Sequence, residues 1–374
     1  MRKNKLIAFT LIELMVSIFI TITIIASFYK LYNASAKTER STSIRVSVNL
    51  MGEQILDTIS ESMRLIGLNG STGNDLSNDT TGILRGVLTG GWGTTDVSFS
   101  YVSPYGSPIT KLADKASGTY PSCSFKLFNS AAFHSDINRL YVHNQDGVFV
   151  FSIADGSAPS YDNNSVNLTA GGVLRSAVSV SDGTSCSDLF PAGSLVTGSD
   201  FIFNLTYTSP KTLVLSYTSM NADGTALGTA KNLINSNYDS AATNNQSFQI
   251  PYFVLEFLRL YKNGDVEVRE WVKTVDNAQS SEEGTEIREK NDVVAVRFGF
   301  VVLSLKDRVT AEDSNSATTM TNEYCIFDEN SENKQGKCYN SSIDPRVNDP
   351  KYTVSVFRRV VYLANYRLLN DQVK

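Results

Sequence analysis

Met1-Arg2-Lys3-Asn4-Lys5-Leu6-Ile7-Ala8-Phe9-Thr10-Leu11-Ile12-Glu13-Leu14 opens the chain, and the apolar run that begins inside it, Leu6 to Phe28, is nearly unbroken. Arg2, Lys3 and Lys5 precede the run with no acid among them. Cations in that position stay on the cytoplasmic side, so the rest of the chain is expected to face outward. Phe9 to Phe28 is 20 residues, enough for a helix to cross a hydrocarbon layer about 30 Å thick. Glu13 does not belong in such a span. A charge at its centre costs about 3 kcal/mol on insertion scales, so an acid there points to a function and needs a partner.

On these residues alone the run has three readings. A signal anchor and a cleavable secretory signal stand level. The second is supported by Ala34-Ser35-Ala36, a small-residue pattern of the kind signal peptidases cut. Against it, the apolar region is longer than the usual secretory core and Glu13 interrupts it. A buried core helix is the third reading, and the cationic start argues against it.

The stretch Ala8-Phe9-Thr10-Leu11-Ile12-Glu13-Leu14 resembles the type IV prepilin motif: a short basic leader, a small residue, Phe, then Thr-Leu-Ile-Glu. The resemblance implies cleavage between Ala8 and Phe9 by a prepilin peptidase, N-methylation of Phe9, and a docking role for Glu13. That carboxylate would neutralise the new amine of a neighbouring subunit in a filament. Most family members carry Gly before the cut, so Ala8 puts the efficiency of processing in question. Asn49–Gly67, Asp292–Ser304 and Phe357–Leu369 are similar to minor pilins of the PilW-like group, and less closely to J-type pseudopilins of type II secretion. The implied partners are other minor and major pilins, the inner-membrane assembly platform, the prepilin peptidase and a large tip adhesin, with the lipid bilayer met through residues 9–28. The implied location is the inner membrane, crossed once with the head in the periplasm, and then a pilus or pseudopilus.

Beyond the membrane run, Ile44, Val48, Met51, Ile55, Ile59, Met63 and Ile66 recur at steps of three and four, which predicts one apolar face on a continuing helix. Arg45, Glu53, Gln54, Asp57 and Glu61 lie on its solvated side, and Gly67 with Asn69-Gly70 supplies a stop. One helix from Phe9 to Ile66 is therefore expected, packed against a sheet. Strands follow. Leu140–His143 and Val148–Ile153 flank Gln145-Asp146-Gly147 as a hairpin, and Phe253–Tyr261 and Val266–Val275 flank Asn263-Gly264 as a second. Asp292–Leu305 and Lys351–Leu369 read as further strands. The fold class is α+β, and the resemblance makes it pilin-like with a large β-rich head. The divisions are a leader (1–8), a membrane half (9–32) and an amphipathic half (33–68) of the helix, and a head (69–374). Within the head, 71–249 is an unassigned insertion and 250–374 a pilin-like sheet.

The net charge of -5, without a block of like charge, argues against nucleic acid, which calls for a basic patch. Cys123, Cys186, Cys325 and Cys338 are an even set in a chain read as exported, so disulfides are expected. Sequence proximity favours Cys325 with Cys338 and leaves Cys123 with Cys186. No Cys-x-x-Cys occurs, and His134 and His143 lie far from both pairs, which weakens a zinc reading. Each histidine reads as a surface or turn residue. Asn69–Thr80 and Asp276–Glu286 are rich in oxygen ligands but lack EF-hand spacing, so they read as solvated loops and no metal or cofactor is expected. Asn167-Leu168-Thr169 and Asn204-Leu205-Thr206 fit a glycosylation sequon that predicts little in a bacterial protein. Neither a Gly-x-Ser-x-Gly nor a Walker motif is present. The functions left are a minor pilin in filament assembly, a binding module on a pilin anchor, a secretion pseudopilin, and an exported hydrolase on a plain anchor, which no residue supports.

Overall fold

Helix α1 (Leu11–Arg64) runs for 54 residues without a break, about 80 Å at 1.5 Å per residue. The computed structural model of the chain describes residues 11–69, 84–88, 97–107, 109–128, 139–145, 147–153, 160–162, 165–176, 179–198, 200–208, 212–220, 226–236, 248–263, 266–272, 293–305, 323–327, 338–349 and 352–363. The helix contains no proline and one glycine, so nothing in its backbone interrupts the hydrogen-bond ladder. Hydroxyls inside the apolar half are absorbed by the helix itself. Thr21 Oγ1 donates to the Ser17 carbonyl at 2.7 Å and Ser27 Oγ to the Thr23 carbonyl at 2.8 Å. Gly67, with φ of +79°, takes the left-handed position that ends a helix at little cost to glycine.

The strands that follow pair antiparallel throughout. β1 (Leu84–Leu88) and β2 (Val97–Ser103) lead into a run of short strands. These are β3 (Ile109–Lys111), β4 (Ser117–Thr119), β5 (Ser122–Phe128), β6 (Arg139–Asn144), β7 (Gly147–Ile153), β8 (Ser160–Asp162) and β9 (Ser165–Ser176). After a one-turn helix α2 (Cys186–Leu189) come β10 (Leu195–Thr197), β11 (Phe201–Thr208), β12 (Thr212–Met220) and β13 (Ala226–Asn235). The C-terminal part supplies β14 (Gln249–Asn263), β15 (Val266–Val272), β16 (Val293–Leu305), β17 (Tyr324–Cys325), β18 (Cys338–Tyr339) and β19 (Tyr352–Tyr362). They form a five-stranded sheet β1-β2-β11-β12-β13, a sheet β3-β10-β6-β7-β9-β5-β4 with β8 beside β9, a four-stranded sheet β15-β14-β16-β19, and the pair β17-β18. Both hairpins foreseen from turn residues are present: β6 and β7 meet at Asn144 and Gly147, and β14 and β15 at Asn263 and Val266.

The second half of α1 is gripped by two of these sheets. Leu56, Ile59, Met63 and Ile66 enter one core with Phe99, Phe203 and Leu205 of the five-stranded sheet and Leu255, Phe298 and Phe357 of the four-stranded one. Each side chain so buried contributes about 1.5–3 kcal/mol. The predicted stripe is off at one position: Met51 is exposed, and Gly52 beside it faces the sheet. A Cβ built at Gly52 would fall within the ring of Phe357, so the absence of a side chain lets the helix sit down on β19. The segment 71–249, unassigned from sequence, divides in two. Of its outer strands, β2 and β11–β13 complete the core around the helix, while β3–β10 enclose a second core of their own. In that second unit an isolated bridge between Leu112 and Leu127 joins the end of β3 to β5, so the sheet curls back on itself as a small barrel.

The four-stranded sheet is covered on both faces. Opposite the helix, Ile326, Phe327, Tyr339 and Val347 lie on Tyr252, Val254, Val301 and Leu303. This explains why β16 is apolar along its whole length rather than at alternate positions. Arg297 of β16 is the buried exception. It pairs with Glu256 of β14, and its guanidinium lies 4.1 Å from the ring centre of Trp271 and 4.5 Å from that of Phe327, a setting that suits a flat, delocalised cation.

At an ordinary helix position, Gly→Ala stabilises by up to about 1 kcal/mol. Gly52→Ala is expected to destabilise instead, by about 1–3 kcal/mol, because the added methyl must displace a packed ring. Urea unfolding of the full chain checks the sign, and a raised midpoint would mean that Phe357 yields freely.

Candidate functional site: an exposed apolar half-helix and a polar junction

Leu11–Ala36 is 26 residues long, its most apolar stretch has a mean hydropathy of 2.3, and none of that stretch is buried within the molecule. Ile12 is 72% exposed and Phe19 70%. At about 39 Å this half-helix is longer than a hydrocarbon layer is thick. It is a candidate membrane anchor. Glu13 stands in its first turn. Ala8 and Phe9, the expected cleavage and methylation positions, lie outside the described residues. Ala34-Ser35-Ala36 sits inside the unbroken helix.

Within the gripped half, the helix is pinned by charge and then by hydroxyls. Arg359 of β19 pairs with Glu53, Nη2 to Oε2 at 3.1 Å, and with Asp57. Both acids lie on the solvated side of the helix, as its spacing predicts. As largely exposed pairs they contribute up to about 1 kcal/mol each, and they fix the helix's rotation more than its stability. Further along, Ser62 Oγ lies 2.5 Å from Tyr101 OH, and Ser103 Oγ donates to the Ser62 carbonyl at 2.7 Å. These bonds tie the far end of α1 to β2.

Past Gly67 the chain meets a buried polar cluster that sequence reasoning missed. Asn69 is its hub. Its Nδ2 donates to Asp200 Oδ1 at 2.8 Å and to the Gly198 carbonyl at 3.5 Å, and its Oδ1 accepts from Thr197 Oγ1. His143 Nε2 is 3.3 Å from the same Oδ1. An amide oxygen has no proton to offer, so Nε2 must carry the hydrogen. Tyr141 hydrogen-bonds to Asp200, and Arg139 Nη1 donates to Tyr141 OH at 3.2 Å. Burial pushes Asp200 up to about 6, against the hydrogen bonds of Asn69 and Tyr141 and the charge of Arg139. Burial also pulls His143 down to about 4 and pushes the Tyr141 phenol up, which keeps it a donor. His143 is therefore a half-buried strand residue bonded across a junction, not the surface or turn residue expected. The available signal was alternation: Arg139, Tyr141 and His143 interleave with Leu140 and Val142, which face the barrel core, so the polar three share the outer face.

The remaining candidates resolve as follows. Cys123 is bonded to Cys186, and Cys325 to Cys338. Among the described residues the group Glu323, Cys325 and Cys338 has metal-like proximity, but its two sulfurs are joined to each other, leaving no thiolate to bind an ion. His134 and both oxygen-rich loops beyond Asn69 lie outside the described residues. Asn204 is a strand residue that accepts from Ser100 Oγ, and Asn167 lies on β9.

No family model matches the chain, and no curated protein matches it. Among solved structures, a type IV-like pilin from Thermus thermophilus aligns over 62% of this chain and 90% of that chain, at 9% identity and a TM-score of 0.21. A TM-score that low establishes no common fold. What the chain's own residues define is a mixed α and β protein whose N-terminal helix is a candidate membrane anchor.

The junction has a worked pH signature. The folded pKa of Asp200 is raised from 3.8 to about 6, so its contribution is full below about 3.8 and is lost as pH rises to about 6. That of His143 is lowered from 6.5 to about 4, so its contribution is full above about 6.5 and is lost as pH falls to about 4. The two nearly cancel in between. Junction stability is expected to change little across that window in the natural chain, to rise on acidification in His143→Gln, and to fall in Asp200→Asn, by about 2–3 kcal/mol in each variant. Hydrogen exchange of the β6 and β10 amides as a function of pH reads all three. Slopes of the same sign in the two variants would refute the assignment.

Proposed function

We propose that this chain is a minor pilin: made as a precursor, cut between Ala8 and Phe9 by a prepilin peptidase, N-methylated at Phe9, and held in the inner membrane by α1 until it enters a filament. Its work is structural, in priming pilus assembly, with a position at or near the filament tip and no catalytic turnover. The observation that carries the reading is one helix in two halves. The first is apolar and exposed and carries Glu13 in its first turn, and the second is gripped by antiparallel sheets. The basic leader and the Phe9-to-Glu13 motif supply the processing and docking chemistry. Other pilins and the inner-membrane assembly platform are the partners, with a large tip adhesin as a further one. A type II secretion pseudopilin would use the same anchor. A tip-displayed binding module is a second reading, favoured by the barrel, whose closed core is independent of the helix.

The first experiment is the N-terminus and intact mass of the protein purified from its own membranes. A chain beginning at N-methylated Phe9 is expected. A chain beginning at Lys37 would mean that the Ala34-Ser35-Ala36 site was used, and the proposal would fail. The second tests Glu13. Because removing one member of a buried ion pair costs about 3–5 kcal/mol, Glu13→Ala should enter membranes as well as the natural chain while its incorporation into filaments drops about tenfold or more. Normal filament content in the variant would remove the docking role.

A further inference from the structure

We propose that Asn69, Tyr141, His143, Thr197 and Asp200 form a latch that seats the inserted barrel on the helix-bearing unit and can release it as a folded body. The first ground is the separation of cores. The residues around Phe125, Phe149, Phe151 and Phe190 share no member with the core around the helix. The barrel also has its own cross-link, Cys123–Cys186, which joins β5 to α2. It therefore has the means to stay folded without the rest.

The second ground is connection. The chain enters the barrel between Ser103 and Ile109 and leaves it between Thr197 and Phe201, and β2 and β11 pair with each other right up to Ser103 and Phe201. The sheet is complete without the barrel, so its strands need not move when the barrel does. Two short crossings side by side make a hinge line.

The third ground is the chemistry of the seat. The outer face of β6 meets the end of α1 and the return crossing through hydrogen bonds: His143 to Asn69, Thr197 to Asn69, Asn69 to Asp200 and Tyr141 to Asp200. Bonds of this kind contribute about 0.5–1.5 kcal/mol each because water takes over when they break. An apolar seat would instead leave a greasy face exposed on release. A polar contact between domains is the kind that opens and closes. Asn69 touches every other part of the cluster except Tyr141 and Arg139, and it follows directly on the turn that ends α1. A change in the helix's attitude therefore reaches the barrel through one side chain.

The test uses the full chain in detergent micelles. Its four native cysteines are in disulfides, so Gln54→Cys on α1 and Lys115→Cys on the barrel, both exposed, accept spin labels alone. Double electron–electron resonance should give one narrow distance distribution. Adding Asn69→Ala should broaden it about twofold, while the amides of Phe149 and Phe151 keep their protection from hydrogen exchange. Thr197→Val supplies the same readouts should Asn69→Ala fail to accumulate. A distribution as narrow as in the parent overturns the proposal. So does broadening accompanied by lost protection at Phe149 and Phe151, which would make the cluster part of the barrel's fold.

Discussion

One unbroken helix here has to serve two surroundings. No proline interrupts it, and its first half finds no cover among the described residues, so any tilt of that half acts on the second half as on the arm of a lever. The second half is accordingly held at two levels, one midway along it and one at its far end. Midway, Gly52 lets the backbone close on Phe357 while Glu53 and Asp57 pair with Arg359. At the far end, Ser62 is tied to Tyr101 and Ser103. The apolar stripe runs past both. Burial of Leu56, Ile59, Met63 and Ile66 supplies most of the grip, and the polar pins decide rotation and register.

The same demand shapes the sheets. A helix lies against a sheet along one line and leaves the other side of that sheet open. The four-stranded sheet closes its open side with the segment carrying Cys325–Cys338, and the five-stranded sheet shares the core around the helix. A doubly covered sheet can then hold a charge such as Arg297, because a carboxylate and two ring faces surround it. Removing Glu256 would take away the carboxylate paired with that buried cation, the costly way to break a buried pair.

The parts that were legible in the sequence are those fixed by local chemistry. Periodicity gave the helix and most of its stripe, Gly67 its end, and Asp-Gly and Asn-Gly turns the two hairpins. What stayed hidden depends on contacts distant in sequence. Met51 fits the spacing as well as Ile55 does, but only the position of Phe357, some 300 residues on, reveals that Gly52 is the seat. The division of 71–249 into a completing sheet and a barrel follows from β2 pairing with β11 across the whole insertion, which no run of residues announces. The polar junction was hidden for the same reason. Asn69 looked like a helix stop, and its partners lie more than 70 residues away at His143 and near 130 at Thr197 and Asp200.

The barrel's place between two neighbouring strands has a consequence of its own. Ser103 and Phe201 face each other across a ladder, so the two ends of the inserted stretch stand only about 5 Å apart. A tight turn could join them, and so could any compact body whose termini lie side by side. The scaffold thus contains a socket. What it carries there can be exchanged over generations without rewriting the helix, the sheets that hold it, or the apolar half-helix that leads into them.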